Sequence, residues 1–163
     1  VIKTWQGILD FSVRDKMILV DKDSLLTKVL DSIEIISPEW NTAEHIAWVA
    51  DSITNNLIFV GNVIRRGEYA RATHLFFYLE KYLASMIRLH HGATEHWLDP
   101  MKGLEKEIST EWYERYAACV PELNENSLNK CFSETLALTR ELFWLLDVPA
   151  HNKNLLDKLI LST

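Results

Sequence analysis

The segment LHHGATEHWLD, residues 89–99, contains side chains whose chemistry suits metal binding or proton transfer: His90, His91, Glu95, His96 and Asp99. A zinc site needs converging ligands, commonly two histidines one helical turn apart. Adjacent histidines on a helix are expected to point apart, and no His-x-x-x-His spacing occurs in the chain. The segment therefore predicts a polar helix end that lines a cleft, with a metal site and a solvated loop as the alternatives.

Two alternating carboxylates, Asp21 and Asp23, follow an apolar run in KMILVDKD, residues 16–23. Alternating strand positions share one face, and nucleotidyl transfer uses such carboxylate pairs to hold Mg²⁺. That chemistry also needs a phosphate-binding Gly-Ser turn and a third carboxylate, but the chain has no Gly-Ser dipeptide and no second clear strand. We therefore interpret Asp23 as a turn or helix cap and expect no metal site and no catalytic residue in this chain.

A third polar group lies in NVIRRGEYARATH, residues 62–74, and its candidate ligand-binding residues are Asn62, Glu68, Tyr69 and Arg71. Gly67 separates two apolar helical patterns and suits the left-handed position that follows a helix end. The Arg-Arg pair before it and Glu68 after it complement the dipoles of the two helix ends. Helix-end charge pairing and a ligand site are both compatible with this pattern.

Six tryptophans are unusual in a chain of 163 residues. So many indole rings indicate a large aromatic core, a cleft or an interface. Four of them could form the apolar wall of a cleft, although packing in the core is the simpler interpretation for each: Trp48, Trp97, Trp112 and Trp144.

The elements that must position these residues are helices from Ser24 onward. Asn41 and Glu44 form a capping-box pattern before the first long helix, and the second long helix ends at Gly92. Apolar periodicity predicts the remaining helices at residues 24–35, 101–108, 110–119, 127–146 and 154–161. The fold prediction is all-α: an antiparallel helical bundle in which the two long helices form a hairpin.

The apolar run in residues 16–23 is too short for a helix and predicts one buried strand. A lone strand cannot satisfy its backbone hydrogen bonds, so it implies a missing sheet, a partner chain or an edge pairing.

Composition narrows the class of protein. The net charge of −6 argues against nucleic acid as a partner, because binding the phosphate backbone needs an excess of Lys and Arg. No apolar run reaches the length of a membrane span, and no signal peptide is visible. The two cysteines, Cys119 and Cys131, indicate reduced core thiols in a cytoplasmic protein.

Four phrases occur in an order that resembles the C-terminal half of lincosamide nucleotidyltransferases, including the integron-carried members. They are TWQG at residues 4–7, NVIRRGEYARA at 62–72, IRLHHGATEHW at 87–97 and LEKEIS at 104–109. The likeness covers most of the chain from Thr4 to about Cys119 and fades beyond it.

The resemblance implies an antibiotic resistance protein. Enzymes of this family transfer a nucleotidyl group from a nucleoside triphosphate to a hydroxyl of lincomycin or clindamycin. Their N-terminal domain holds the Gly-Ser turn and the Mg²⁺-binding carboxylates, and their helical domain closes the drug cleft and supports dimerisation. By this likeness, residues 1–22 are the end of a catalytic domain, including its last strand, and residues 23–163 are the helical substrate-binding and dimerisation domain.

Two hypotheses follow. In the first, the chain binds a lincosamide and forms a homodimer, is inactive without its missing catalytic domain, and leaves Mg²⁺ and nucleoside triphosphate to the complete enzyme. The resemblance and the helix ends give its expected drug-binding residues: Asn62, Glu68, Tyr69, Arg71, His90, His91 and His96. In the second, the chain is a stand-alone helical module for self-association or partner binding, with no ligand.

Overall fold

The computed structural model describes residues 22–24, 28 and 40–162. The chain divides into two compact units, Val1–Glu39 and Trp40–Thr163. The second unit contains the helices of the described residues: α1 Ala43–Arg65, α2 Tyr69–His91, α3 Leu104–Glu107, α4 Thr110–Ala117, α5 Glu125–Leu145 and α6 Ala150–Ser162. The all-α prediction is confirmed for this unit.

The strand predicted at residues 16–23 lies outside the described residues except for Lys22 and Asp23, which form a turn. No strand occurs within residues 22–24, 28 and 40–162. The predicted helix at residues 24–35 also lies almost wholly outside the described part. The division into domains 1–22 and 23–163 therefore stays a prediction.

Helix α1 begins one residue later than the capping-box pattern predicted. Thr42, not Asn41, is the N-cap: its backbone is extended and its Oγ1 accepts a hydrogen bond of 3.2 Å from the backbone N–H of His45. Threonine and asparagine are both preferred N-cap residues, so sequence alone did not separate the two neighbours. Glu44 lies in the first turn, where its charge complements the helix dipole.

The turn between α1 and α2 is a Schellman motif. Gly67 has φ 72°, and its N–H donates to the carbonyl of Ile64 at 2.8 Å. The N–H of Glu68 donates to the carbonyl of Val63 at 3.2 Å. This geometry reverses the chain after α1, and the predicted hairpin of two long helices is confirmed.

The core lies among α1, α2 and α5. The predicted apolar stripes supply it, with the following side chains fully buried: Val49, Ile53, Leu57, Val60, Phe76, Leu79, Leu83, Met86, Ile87, Leu128 and Leu142. Gly61 of α1 faces Phe132 of α5 so closely that an added Cβ would lie 2.9 Å from its Cζ. Close packing of α1 against α5 therefore depends on a residue without a side chain.

Cys119 and Cys131 are both buried and free, which confirms the prediction of core thiols. Burial raises the pKa of the Cys119 thiol to about 11. Within the described part of the chain, no helix has the length and apolar character needed to cross a membrane.

Candidate ligand-binding site

The seven predicted site residues lie at opposite ends of α2. Asn62, Glu68, Tyr69 and Arg71 surround its first turn, whereas His90, His91 and His96 lie at or just beyond its last turn. The helix places these two ends roughly 30 Å apart. The structure therefore separates the seven residues into two sets that one lincosamide-sized molecule could not contact together on a single chain, and their role in ligand binding stays a prediction.

At the first end, the charged side chains neutralise one another. The Nη1 of Arg71 lies 2.9 Å from Oε2 of Glu68, and the Nη1 of Arg66 lies 4.0 Å from Oε1 of the same carboxylate. The Oδ1 of Asn62 accepts a hydrogen bond of 2.6 Å from Nη2 of Arg65. The helix-end charge-pair interpretation is confirmed, and a ligand role for these residues stays a prediction.

Tyr69 connects this turn to the start of α5. Its ring is half-buried, and a hydrogen bond with Glu125 raises the pKa of its hydroxyl, with burial and the charge of Glu125 acting in the same direction. This interaction links the turn before α2 to Glu125, the first residue of α5.

At the second end, the two adjacent histidines converge. The ring centroids of His90 and His91 are 5.0 Å apart, and they lie 4.9 Å and 5.6 Å from the ring of Trp112. The expectation that they point apart is wrong, because Trp112 of α4 packs against both rings. Burial, followed by the charge of His90, lowers the pKa of His91.

Arg88 organises the loop that follows α2, and the sequence analysis did not predict this role. Its side chain is fully buried. Its Nε donates to the carbonyl of Pro100 at 2.7 Å, its Nη1 to that of Ala93 at 2.8 Å and its Nη2 to that of Lys102 at 2.7 Å. Its Nη1 also pairs with the carboxylate of Glu107. One guanidinium thus holds both the start and the end of the loop. An arginine within an otherwise apolar run was the only sequence sign of it.

Glu107 is shared between Arg88 and His96. The Nδ1 of His96 lies 2.7 Å from Oε1 of Glu107. Burial alone would raise the pKa of Glu107, but the hydrogen bond and charge of Arg88, together with His96, hold it below its usual value. His96 is therefore in contact with the last residue of α3, and this contact gives it a structural role; its role in ligand binding stays a prediction.

An open aromatic pocket of about 400 Å³ lies at this end, between the start of α1 and the loop after α2. Its lining residues are Trp40, Glu44, His45, Trp48, Trp97 and Leu98.

Trp97 is nearly buried, but Trp48 is 54% exposed, so the core interpretation is wrong for Trp48. It is wrong also for Trp144, which is 64% exposed on α5. The aromatic-cleft alternative is thus supported for Trp48 and Trp97, which line the pocket.

A second, smaller groove of about 290 Å³ lies between α4 and α5. Its charged lining residues are Glu111, Glu114, Arg115 and Glu134. Arg115 is already paired with the carboxylate of Glu141 and lies 4.6 Å above the ring of Trp112. None of the seven predicted residues lines this groove.

Metal ligands are not grouped in the described part of the chain: residues 22–24, 28 and 40–162 contain no set of three or more His, Cys, Asp or Glu side chains that could hold an ion. Asp21, half of the carboxylate pair considered from the sequence, lies outside these residues, and Asp23 is exposed in a turn. The described helices therefore do not provide a Mg²⁺ site.

The fold and the site together define a helical-bundle domain with a polar end and an aromatic pocket. The family model described as "Lincosamide nucleotidyltransferase-like, C-terminal domain" matches residues 42–161. The chain belongs to this family, which confirms the resemblance seen in its sequence. The match begins at the N-cap of α1 and ends within α6, so it coincides with the helical unit. A search among curated proteins finds no match to the chain.

Proposed function

We propose that the chain is the drug-binding and dimerisation part of a lincosamide nucleotidyltransferase-like antibiotic resistance protein. The family match over residues 42–161 is the observation on which this proposal depends. The alternative of a helical module without a ligand has the same fold, so the proposal must be tested by binding.

The histidine end of the bundle is the better candidate for the drug-facing surface. A lincosamide combines a cationic amine and an apolar ring with a polyhydroxylated sugar. His90 offers imidazole nitrogens to hydroxyl groups beside the ring of Trp112, and Nε2 of the neighbouring His91 is buried there without a hydrogen-bond partner among the described residues. At the other end, the charges of Glu68 and Arg71 already satisfy each other, so a drug would have to replace that pair.

Nucleotidyl transfer is assigned to a separate catalytic domain of the complete enzyme. The described helices hold no cluster of carboxylates that suits Mg²⁺, and no step of the transfer is attributed to them. In this proposal, nucleoside triphosphate and Mg²⁺ bind to that other domain, while the helices supply the receptor for the antibiotic.

Self-association is supported by apolar side chains on the outer surface of the α1–α2 hairpin. The exposed fractions are 43% for Phe59, 53% for Phe77 and 43% for Tyr78. Exposed aromatic side chains are enriched at protein interfaces, and the rings of Phe77 and Tyr78 are in contact. Light scattering on the purified chain tests the proposed homodimer, and a monomer at all concentrations would contradict it.

Calorimetric titration with clindamycin tests the drug-binding part of the proposal. We expect saturable binding, and we expect it to weaken about five- to tenfold in His90→Ala, which removes one polar contact and one ring. His74→Ala is the matched control, because His74 is an exposed histidine of the same helix. Absence of heat with clindamycin, also after addition of a catalytic domain from the same family, would reject the proposal in favour of the ligand-free module.

A further inference from the structure

We propose that the aromatic pocket is a receptor for an organic cation, specifically an alkylammonium group with apolar substituents. Its lining residues are Trp40, Glu44, His45, Trp48, Trp97 and Leu98. The inference deepens the proposed function. It rests on that function in one respect only, namely that the natural ligand is the amine of a lincosamide. The pocket and its charge preference follow from the structure of this chain.

The walls of the pocket are aromatic rings. Trp40 and Trp97 stack with ring centroids 5.3 Å apart and an angle of 18° between their planes. His45 meets both rings edge-on, at 4.9 Å from Trp40 and 5.9 Å from Trp97. Trp48 adds a third indole, of which more than half is exposed. Indole faces carry negative electrostatic potential, and tryptophan is the strongest of the aromatic side chains at attracting a cation.

The pocket carries a negative charge, which favours a cationic ligand. Glu44 is an exposed carboxylate on its rim, and none of the six lining residues is a lysine or an arginine. An anionic ligand would meet this carboxylate and the negative faces of the indoles. A cation is favoured by both, and its alkyl groups would contact Leu98, which is 45% exposed.

The pocket is also preorganised, because His45, Trp48 and the loop with Trp97 are each held by contacts outside it. The Nδ1 of His45 lies 3.1 Å from Oγ1 of Thr42, the N-cap of α1. Trp48 packs edge-on against Tyr82 of α2 at 5.8 Å. The loop that contains Trp97 is held by the buried guanidinium of Arg88. A receptor whose walls are fixed before binding loses little conformational entropy when the ligand arrives.

Its size limits the ligand to a small molecule or a part of one. The volume of about 400 Å³ falls in the lower part of the usual range for small-molecule sites, roughly 300–1,000 Å³. Three indoles around one carboxylate suit a tertiary or quaternary amine better than a primary one, because a heavily alkylated nitrogen loses less hydration when it is buried.

The charge preference is tested with a pair of probes that have the same shape. Choline carries a quaternary ammonium group, and 3,3-dimethylbutan-1-ol is its neutral isostere. Both are titrated into ¹⁵N-labelled full chain at 0.15 M salt, while the indole N–H signals of the six tryptophans are followed by NMR. We expect choline to bind at least about fivefold more tightly than the alcohol, with shifts at the indoles of Trp40, Trp48 and Trp97.

Two substitutions locate the binding. Trp48→Ala removes an exposed wall and Glu44→Gln removes the rim charge without changing its shape, and each should weaken choline binding about fivefold or more. The matched controls are Trp144→Ala and Glu105→Gln, which change an exposed tryptophan and an exposed carboxylate outside the pocket and should leave binding unchanged. Equal affinity for choline and the alcohol, or choline binding unaffected by Trp48→Ala and Glu44→Gln, would overturn the inference.

Clindamycin in the same titrations separates this inference from the proposed function. If choline binds in the pocket and clindamycin does not bind, the receptor stands and the lincosamide function fails. If clindamycin binds and its affinity does not respond to Trp48→Ala or Glu44→Gln, the lincosamide function stands and the pocket as its amine receptor is wrong.

Discussion

Arg88 is the largest of the side chains that are fully buried in the helical unit. A guanidinium is tolerated there because three loop carbonyls and one carboxylate accept its hydrogen bonds. The arrangement matters for function, since the same loop contributes Trp97 and Leu98 to the aromatic pocket. The position of a wall of the candidate site therefore depends on a residue that no ligand is expected to touch.

We expect Arg88→Lys to lower the free energy of unfolding by about 2–5 kcal/mol, because buried carbonyls lose their hydrogen bonds. An ammonium group keeps the charge but cannot present its donors in the planar fork that reaches the three carbonyls. Denaturation with urea measures the effect. Arg71→Lys is the matched control: its charge pair is on the surface, and the change should stay within about 0.5 kcal/mol. Equal effects of the two substitutions would contradict this account of the loop.

His91 should make the stability of the domain depend on pH near neutrality. Its folded-state pKa lies below the usual 6.5, so the unfolded chain takes up the proton first as the pH falls. The stabilisation is complete above pH 6.5 and is lost as the pH drops from there towards the folded-state pKa. Thermal unfolding at pH 7.5 and 5.5 measures the loss, and this interval avoids the carboxylate of Glu107, whose pKa is lowered from 4.5.

The substitution His91→Gln should reduce the difference in melting temperature between these two pH values. His74→Gln, at an exposed position of the same helix, should leave it unchanged. A pH dependence that survives His91→Gln in full would show that another group is responsible.

At the residue scale, sequence patterns identified which segments are polar helix ends, but they did not predict which side chains contact each other there. The phrases around Gly67 and Gly92 mark the two ends of α2, and these ends are polar as predicted. Which side chains satisfy each other, such as Glu68 with Arg71 or His96 with Glu107, depends on rotamers and on loops that periodicity does not encode.

At the element scale, helices were predictable where an apolar stripe and a glycine stop occurred together. The ends without glycine were less certain. Helix α5 begins at Glu125, two residues before the predicted start, because Asn124 is extended and its Oδ1 accepts from the N–H of Ser127 at 2.8 Å. Helix α6 begins at Ala150 instead of residue 154. Several residues that can act as an N-cap are adjacent in sequence at the start of α5, and only the backbone conformation determines which of them is the cap.

The turn at Gly67 gives an element-scale prediction. Gly67→Ala should lower the free energy of unfolding by about 1 kcal/mol, because alanine is strained at φ 72° while its Cβ meets no atom within 4 Å. Gly67→Asn should cost clearly less, since asparagine tolerates the left-handed conformation. Chemical denaturation of both variants separates backbone strain from steric conflict, and equal losses would argue against strain as the cause.

At the scale of the whole molecule, the bundle followed from local patterns, whereas the pocket did not. The aromatic pocket joins Trp40 and Glu44 at the start of α1 with Trp97 and Leu98 beyond the end of α2. These residues meet because α1 and α2 are antiparallel and equally long, so the hairpin turn at Gly67 brings the end of α2 back beside the start of α1. The sequence identified tryptophans as candidates for a cleft, but their stacking depends on the register of two long helices, which only the folded structure fixes.

The division of the chain after Glu39 leads to a last prediction about independent folding. Residues 40–163 contain all of the described helices and a continuous core of buried side chains, so they should unfold in one cooperative transition without residues 1–39. Residues 40–120 are the control. This fragment keeps the α1–α2 hairpin but lacks α5, whose Leu128, Phe132 and Leu142 complete the core, and should show no cooperative transition. Circular dichroism during heating distinguishes the two. If residues 40–163 melted without cooperativity, the helical unit would depend on the preceding segment, and ligand binding could be assigned to it only within the full chain.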